Sequence, residues 1–301
     1  MDLLNLMTSI SSTLQPSPPD TPHPLPRLTI RNRTGWIGVN LRELWRFREL
    51  LLSLTARDIK LRYKQTALGV AWVVLQPLVA AGIFSFVFGK LANLPAPSTA
   101  AGRPVPYFLF TFAGMVAWNL FFNAITKISG ILVSNSSLVS KVYFPRMLLP
   151  LAGAMGVLVD LAVATAMLLV LQLVNNVGLT PRWLLSPVIL MLMLSLSLGI
   201  GMWAAALCVE YRDVAYVLPV VLQFLLYASP VAYAGPIGAE HSKFFYVNPL
   251  AGLLDAWRWS VLSTPFPPPW AFAYSVGIAV ATLLLGALVF RRMERNFADV
   301  I

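Results

Sequence analysis

The stretch Trp183–Leu207, WLLSPVILMLMLSLSLGIGMWAAAL, runs for twenty-five residues without a single charge. A helix needs about 20 predominantly apolar residues to cross a bilayer, and this run exceeds that. Backbone groups inside lipid find no water, so the run must satisfy its own hydrogen bonds as a helix. Working outward, five further apolar runs lie between charges, near 66–89, 105–126, 148–175, 214–234 and 270–290. The 148–175 run carries Asp160, and the 214–234 run carries Pro219 and Pro230. Both are read as helices, and the fold class expected is an all-α integral membrane protein with six transmembrane helices.

Composition supports this. The chain is 58% hydrophobic and only 11% charged, against about 25% charged in a soluble domain. The net charge of +10 would suit nucleic acid, but its distribution argues otherwise. Charge gathers in the first 64 residues and in the short gaps between apolar runs, as expected of a protein held against an anionic leaflet. With the N-terminus inside, sixteen Lys and Arg fall on the cytoplasmic face and five on the other, with Lys127 near a helix end. That bias places both termini in the cytoplasm.

Residues 1–39 hold the Pro/Ser/Thr-rich stretch Pro16–Pro26 and no apolar core before a small-residue cleavage site. The expectation is a disordered cytoplasmic tail, not a cleaved signal. Residues 40–64 form an amphipathic interfacial helix, 65–295 the transmembrane domain, and 296–301 a cytoplasmic C-terminus. In the interfacial helix, Asn40 is placed to cap. Arg42, Arg46, Glu49, Ser53, Arg57, Lys60 and Lys64 recur at steps of three and four, with Leu41, Leu44, Trp45, Phe47, Leu51, Leu52, Leu54 and Ile59 around the rest. A basic stripe beside Leu, Trp and Phe describes a helix lying in the membrane interface. The plainer reading is a solvated helix face. Arg48, Asp58 and Arg62 interrupt the apolar arc, so part of it is expected to meet protein.

The gaps carry further features. Ser134–Arg146 combines polar cap residues with a short apolar-basic stretch before Pro145. It predicts a brief, stiff helix suited to a partner's groove, or more plainly a connecting turn. Glu210, Tyr211, Arg212 and Asp213 form a shorter charged gap. On the opposite face, Asn248-Pro249 is a helix start, and Leu250, Leu253, Leu254, Trp257, Val261 and Leu262 repeat at helical spacing. Asp255 and Arg258 are spaced to pair. This segment is too short and charged to span, so it is read as interfacial or re-entrant, able to cap the exit of a pathway. Asp160 is the one carboxylate deep in a span, a costly placement; a structural hydrogen bond or subunit contact is expected, ahead of a direct transport role. The many aromatics serve packing and interfacial belts. Some would also line a pore, where their faces suit the apolar faces of sugar rings.

No G-x-x-x-x-G-K-[ST] loop occurs, and no G-x-S-x-G elbow. The single Cys208 excludes a disulfide framework, and the two histidines, His23 and His241, offer no metal site. Any ATP used must be bound by another chain.

Several motifs now stand in order: LLSLTARDIKLRYK at Leu51–Lys64, LGVAW at Leu68–Trp72, and Gln76-Pro77-Leu78 entering the first span. KVYFPR at Lys141–Arg146, Leu149-Pro150, YRDV at Tyr211–Val214, Ser229-Pro230-Val231 and Asn248-Pro249-Leu250 follow. Over residues 40–295 this order resembles the membrane subunit of ABC-2 type exporters of cell-surface polysaccharide, with O-antigen permeases nearest and capsule and teichoic acid permeases as relatives. The resemblance implies a non-enzymatic permease of the bacterial inner membrane, paired as a homodimer with two copies of an ATPase subunit that holds ATP and Mg. The cargo implied is a polysaccharide on an undecaprenyl-pyrophosphate lipid, moved outward. It implies ATPase coupling by Ser137, Lys141, Tyr143, Phe144, Arg146, Tyr211 and Arg212, and contact with the lipid pyrophosphate by Arg57, Lys60, Arg62 and Lys64. Trp72, Phe84, Phe88, Trp118, Phe122, Phe224 and Tyr227 are the candidate channel aromatics, and Asn248, Pro249, Trp257 and Arg258 the outer gate. Competing readings are a drug, small-lipid or teichoic acid ABC-2 permease, an ion-coupled secondary transporter, and a membrane-embedded transferase. The secondary transporter needs paired intramembrane charges and repeats, and the transferase a cluster of acids or histidines; neither is seen.

Overall fold

A computed structural model describes residues 41–64, 69–94, 97–233 and 242–294. The tail expected at 1–39 and the C-terminus expected at 296–301 lie outside the described residues. Among the described residues, two helices precede the first span: α1 (Leu41–Arg46) and α2 (Arg48–Lys64), separated by a turn at Phe47. The first span is α3 (Gly69–Phe84), extended by a wide π-turn segment, Ser85–Leu91. The second is α4 (Tyr107–Ser129), followed by the short α5 (Ile131–Ser134) and α6 (Ser136–Lys141). The third is α7 (Leu148–Val174) and the fourth α8 (Ser186–Glu210), which enters from a 3-10 turn at Pro181–Leu185. Then come α9 (Val214–Ala228), α10 (Ser242–Phe245), α11 (Pro249–Leu262) and α12 (Pro269–Met293).

Among the described residues, five helices are long and apolar enough to cross a membrane: Ala71–Leu91, Tyr107–Ser129, Leu148–Val174, Pro181–Glu210 and Pro269–Met293. The fifth expected span, 214–234, differs from the reading. Its helix stops at Ala228 after 15 residues, about 22 Å of rise against a hydrocarbon core of about 30 Å. The stop is local chemistry. Pro230 drives the preceding residue out of the α region, and Ser229 is extended at ψ 147°. The chain then continues through Pro230, Val231 and Ala232 as buried, non-helical backbone.

The core is built on α4, whose side chains are buried nearly all round. It packs against α7, α8 and α11, while α8 packs against α12 along its length. Closeness at that last crossing depends on two glycines. A Cβ on Gly199 would collide with the Thr282 carbonyl, and one on Gly286 with the Gly199 carbonyl, the small-residue contact that lets membrane helices approach. By contrast α9 buries only Leu222.

At one end of the bundle lie α2, α6 and the end of α12. At the other, Gly102 at φ 76° turns a small loop in which Ser98 bridges Pro104, and Ala100 donates to the Ser263 carbonyl that closes α11, 2.8 Å.

Candidate functional site

At the basic end, α2 lies on α7. Leu54 and Thr55 are buried, Leu51 and Ile59 half-buried, and the Thr55 hydroxyl donates to the Leu51 carbonyl at 2.9 Å. Arg46, Glu49, Ser53, Arg57, Lys60 and Lys64 all face outward, and so do Trp45, Leu52 and Leu61. The solvent-side arc is therefore mixed, basic groups with large apolar ones, as suits the boundary between headgroups and acyl chains.

Of the charges that interrupt the apolar arc, Asp58 and Arg62 pair inward, while Arg48 stays exposed over the Trp45 ring. Arg62 forms an ion pair with Asp160 on α7. Asp58 lies 3.8 Å from Lys127 on α4 and 3.2 Å from Arg57. Arg57 Nη2 also donates to Asn135 Oδ1 at 2.6 Å. Gly156 on α7 makes room for the lysine, because a Cβ there would meet Lys127 Nζ. Asp160 is buried but matched by a cation, the condition that makes an intramembrane acid tolerable. Arg62 and Arg57, expected among the pyrophosphate ligands, spend their guanidinium groups on protein; Lys60 and Lys64 point outward.

Sequence reasoning did not assemble this cluster. Lys127 stood only as a charge near a helix end, and Asp58 only as a gap in an apolar arc. A single lysine in an otherwise apolar span was the available signal, since such a group needs a partner.

In the second gap, α6 forms and Val142 leaves the helix in an extended conformation. Ser137, Lys141 and Tyr143 project outward, Tyr143 being 89% exposed. Phe144 turns inward and is buried. The Arg146 amide donates to Glu294 Oε1 at 3.0 Å and its guanidinium to the Glu294 carbonyl, tying this gap to the end of α12. Tyr211 and Arg212 are exposed. The expected coupling residues thus divide into an outward set and an anchoring pair, Phe144 and Arg146.

Of the candidate channel aromatics, several meet on one flank. Phe84 stacks on Phe88 with centroids 6.0 Å apart and meets Tyr227 edge-on at 6.5 Å. Trp72, Phe224 and Tyr227 are 56%, 71% and 61% exposed, so α3 and α9 present an uncovered aromatic surface. Phe122 is half-buried beside Trp118, 6.5 Å away, and Trp118 itself is buried in α4. The structure gives Trp118 a packing role.

The expected outer gate is more deeply seated than its amphipathic pattern suggests. Asn248 caps α11 by accepting from Leu250 N at 3.0 Å and donates to Ser229 Oγ at 2.8 Å. Trp257 is fully buried and donates to the Ala113 carbonyl at 2.8 Å. Arg258, equally buried, donates to the carbonyls of Pro230, at 2.6 Å, and Val231. Its guanidinium also lies 3.8 Å over the Phe110 ring and 3.8 Å from Asp255, which in turn accepts from Tyr246 at 3.1 Å. Burial, then the Asp255 carboxylate, push the Tyr246 phenol above its ordinary range, keeping it a donor. Arg258 thereby serves the carbonyls freed where α9 ends, which have no water to turn to. Gly114 leaves the space, because a Cβ there would strike both the Val231 carbonyl and the guanidinium.

With this geometry established, comparison with known sequences is decisive. The profile of the ABC-2 type transporter family matches residues 49–262. The chain belongs to the ABC-2 type transporter family. It is a multi-pass membrane protein, and members of this family form the membrane part of a transporter. Two O-antigen export system permease proteins RfbA of Klebsiella pneumoniae are similar to it, 25% identical over 260 residues and 24% over 258, each match covering 84% of this chain and 95% of the relative. The O-antigen export system permease protein RfbA of Myxococcus xanthus is 25% identical over 268 residues, covering 87% of this chain and 98% of its own length. The family match spans α2, the second gap and α11, so all three regions described above belong to the shared architecture.

Proposed function

We propose that this chain is the permease subunit of an ATP-driven exporter that moves a lipid-linked, O-antigen-type polysaccharide out of the cytoplasm. The observation that carries the reading is similarity to permeases named for O-antigen export over 95–98% of their length. ATP and Mg are bound by a separate ATPase subunit in two copies, and two copies of this chain pair in the bacterial inner membrane with both termini inside. The sixteen-to-five excess of Lys and Arg supports that orientation.

In this assembly the uncovered aromatic surface of α3 and α9 faces the other copy, and Phe84, Phe88, Phe224 and Tyr227 offer ring faces to passing sugars. Lys60 and Lys64, exposed on α2, attract the undecaprenyl-pyrophosphate headgroup by charge. Tyr143, Lys141 and Ser137 meet the ATPase, with Tyr211 and Arg212 beside them. Asn248 and Pro249 set the start of α11, the helix that closes the outer exit, and Trp257 and Arg258 hold it in place.

The test is co-purification with whatever ATPase is encoded beside this gene, together with the fate of surface polysaccharide when the gene is deleted. The reading expects a complex with Mg-dependent ATP hydrolysis, and a deletion strain that loses surface polymer while lipid-linked polymer accumulates inside. Normal surface polymer in the deletion strain would sink it. Export of a drug or small lipid instead, with the ATPase still bound, would move the chain to another branch of its family.

A further inference from the structure

The join between α2 and α6 carries an inference about how force crosses this protein. Asn135 sits between α5 and α6 with backbone angles, φ −116° and ψ 27°, that interrupt the helix. Its carbonyl receives the amides of Leu138 and Val139, each at 3.0 Å, so α6 hangs from this residue. Its side chain works in two directions. Nδ2 donates backward to the Ile131 carbonyl at 2.9 Å, while Oδ1 accepts from Arg57 on α2 at 2.6 Å. Val139 is the one side chain of α6 that is buried, so apolar packing alone holds this helix weakly.

Arg57 leads onward. It meets Asp58 at 3.2 Å, and Asp58 faces Lys127 on α4. One turn along α2, Arg62 pairs with Asp160 on α7. Through these residues of α2 the chain links the start of α6 to α4 and α7. Guanidinium-to-amide and guanidinium-to-carboxylate contacts are charge-assisted and directional, which suits them to carry a shift of α6 into α2.

We propose that Asn135 is a positioning residue for energy coupling: through Arg57 it makes α2 follow the movement of α6. This rests on the reading of α6 as the seat of the ATPase, and it reassigns Arg57 from a lipid contact to a mechanical one. Contiguity alone does not establish a route for coupling; a double-mutant cycle does.

The experiment uses the whole permease–ATPase complex, with ATP hydrolysis by the purified complex and surface polysaccharide in the native host as paired readings. Arg57→Ala and Asn135→Ala are each expected to lower polymer exported per ATP hydrolysed by roughly tenfold, the worth of one charge-assisted hydrogen bond. The double variant is expected to match the singles. Asn135→Asp keeps the acceptor and is expected to export normally with Arg57 present and poorly with Arg57→Gln, which also serves if Asn135→Ala is not recovered folded. Losses that multiply toward roughly a hundredfold in the double variant would mean independent roles, a lipid contact for Arg57 among them, and overturn the proposal. Unchanged export in Asn135→Ala overturns it too. A wild-type chain that captures no ATPase removes the functional reading itself, an outcome visible before any variant is made.

Discussion

Two sets of helices in this protein share a composition and differ in almost everything else. Helices α4, α8 and α11 bury most of their surface, crossing partners so closely that glycine is required at Gly114, Gly199 and Gly286. Helices α3 and α9 are as apolar, yet among their described side chains α3 buries only Pro77 and Ala81, and α9 only Leu222. Lipid is as apolar as leucine, so hydrophobicity cannot decide which span is central. Small residues and polar anchors decide it. The core set carries both, while the peripheral set leaves Trp72, Tyr216, Phe224 and Tyr227 exposed.

The sharpest way to break this contrast is to remove the polar anchor of the core set. Arg258→Ala would leave two carbonyls and Asp255 buried without their cation, a loss of about 3–5 kcal/mol. The expected outcome is poor recovery of folded protein in detergent and a collapse of its melting temperature. Arg258→Lys should retain only part of the stability, since an ammonium group lacks the fork that reaches both carbonyls. A well-folded Arg258→Ala protein would show that the broken end of α9 finds water after all.

A second test strikes the glycine crossing. Gly286→Leu drives a side chain into the backbone of α8, and overpacking of this kind costs about 1–3 kcal/mol. The same change at Gly277 on α12, where a Cβ would meet nothing within 4 Å, should leave melting unaltered. Equal melting temperatures for the two variants would contradict the packing described.

How much of this was legible beforehand follows from the same physics. Six apolar runs separated by charge specify a polytopic helical protein, and the helix start at Asn248-Pro249 was readable because a cap and a first-turn proline act locally. The early end of α9 was readable in principle from Pro230. It was passed over because hydropathy continues to residue 234 and measures neither backbone breaks nor length of regular helix. The pairing of Asp160 was out of reach, because its partner lies 98 positions away on a helix whose angle to the bundle no periodicity reports. Arg258 looked like the polar side of an amphipathic helix whose apolar side held Trp257, and the two are instead its largest fully buried side chains. Only the carbonyls of Pro230 and Val231, invisible in a list of side chains, explain why a guanidinium belongs there.

The ion pair of Arg62 and Asp160 joins α2 to α7, outside both sets, and a smaller effect is expected from it. Asp160 is buried but Arg62 is 43% exposed, so solvent screens the attraction and Asp160→Asn should cost about 1 kcal/mol. Adding Arg62→Gln should cost little more, because the two side chains face each other across the same ion pair. Thermal melting of the two single variants and the double variant measures this. Additive losses would mean that each residue serves a different partner.

The smallest effect on stability, and the most informative about use, is expected on α9. Phe224→Ala and Tyr227→Ala touch side chains that the protein barely covers, so each should shift unfolding by no more than about 0.5 kcal/mol. If this surface faces a second copy and a passing glycan, the same variants should reduce surface polysaccharide while leaving the folded protein in normal amount. Replacements at equally apolar, lipid-suited positions of α12 such as Leu284 and Leu285, 59% and 62% exposed, supply the control, for they should alter neither quantity. Should Phe224→Ala destabilise the protein as a core substitution does, α9 would have to be packed in the membrane as tightly as α8, and the contrast between the two sets would fail. Should it leave both stability and export intact, the aromatic surface would be an interfacial belt and nothing more. Loss of export at constant stability is the one outcome that makes exposure a functional property of α9.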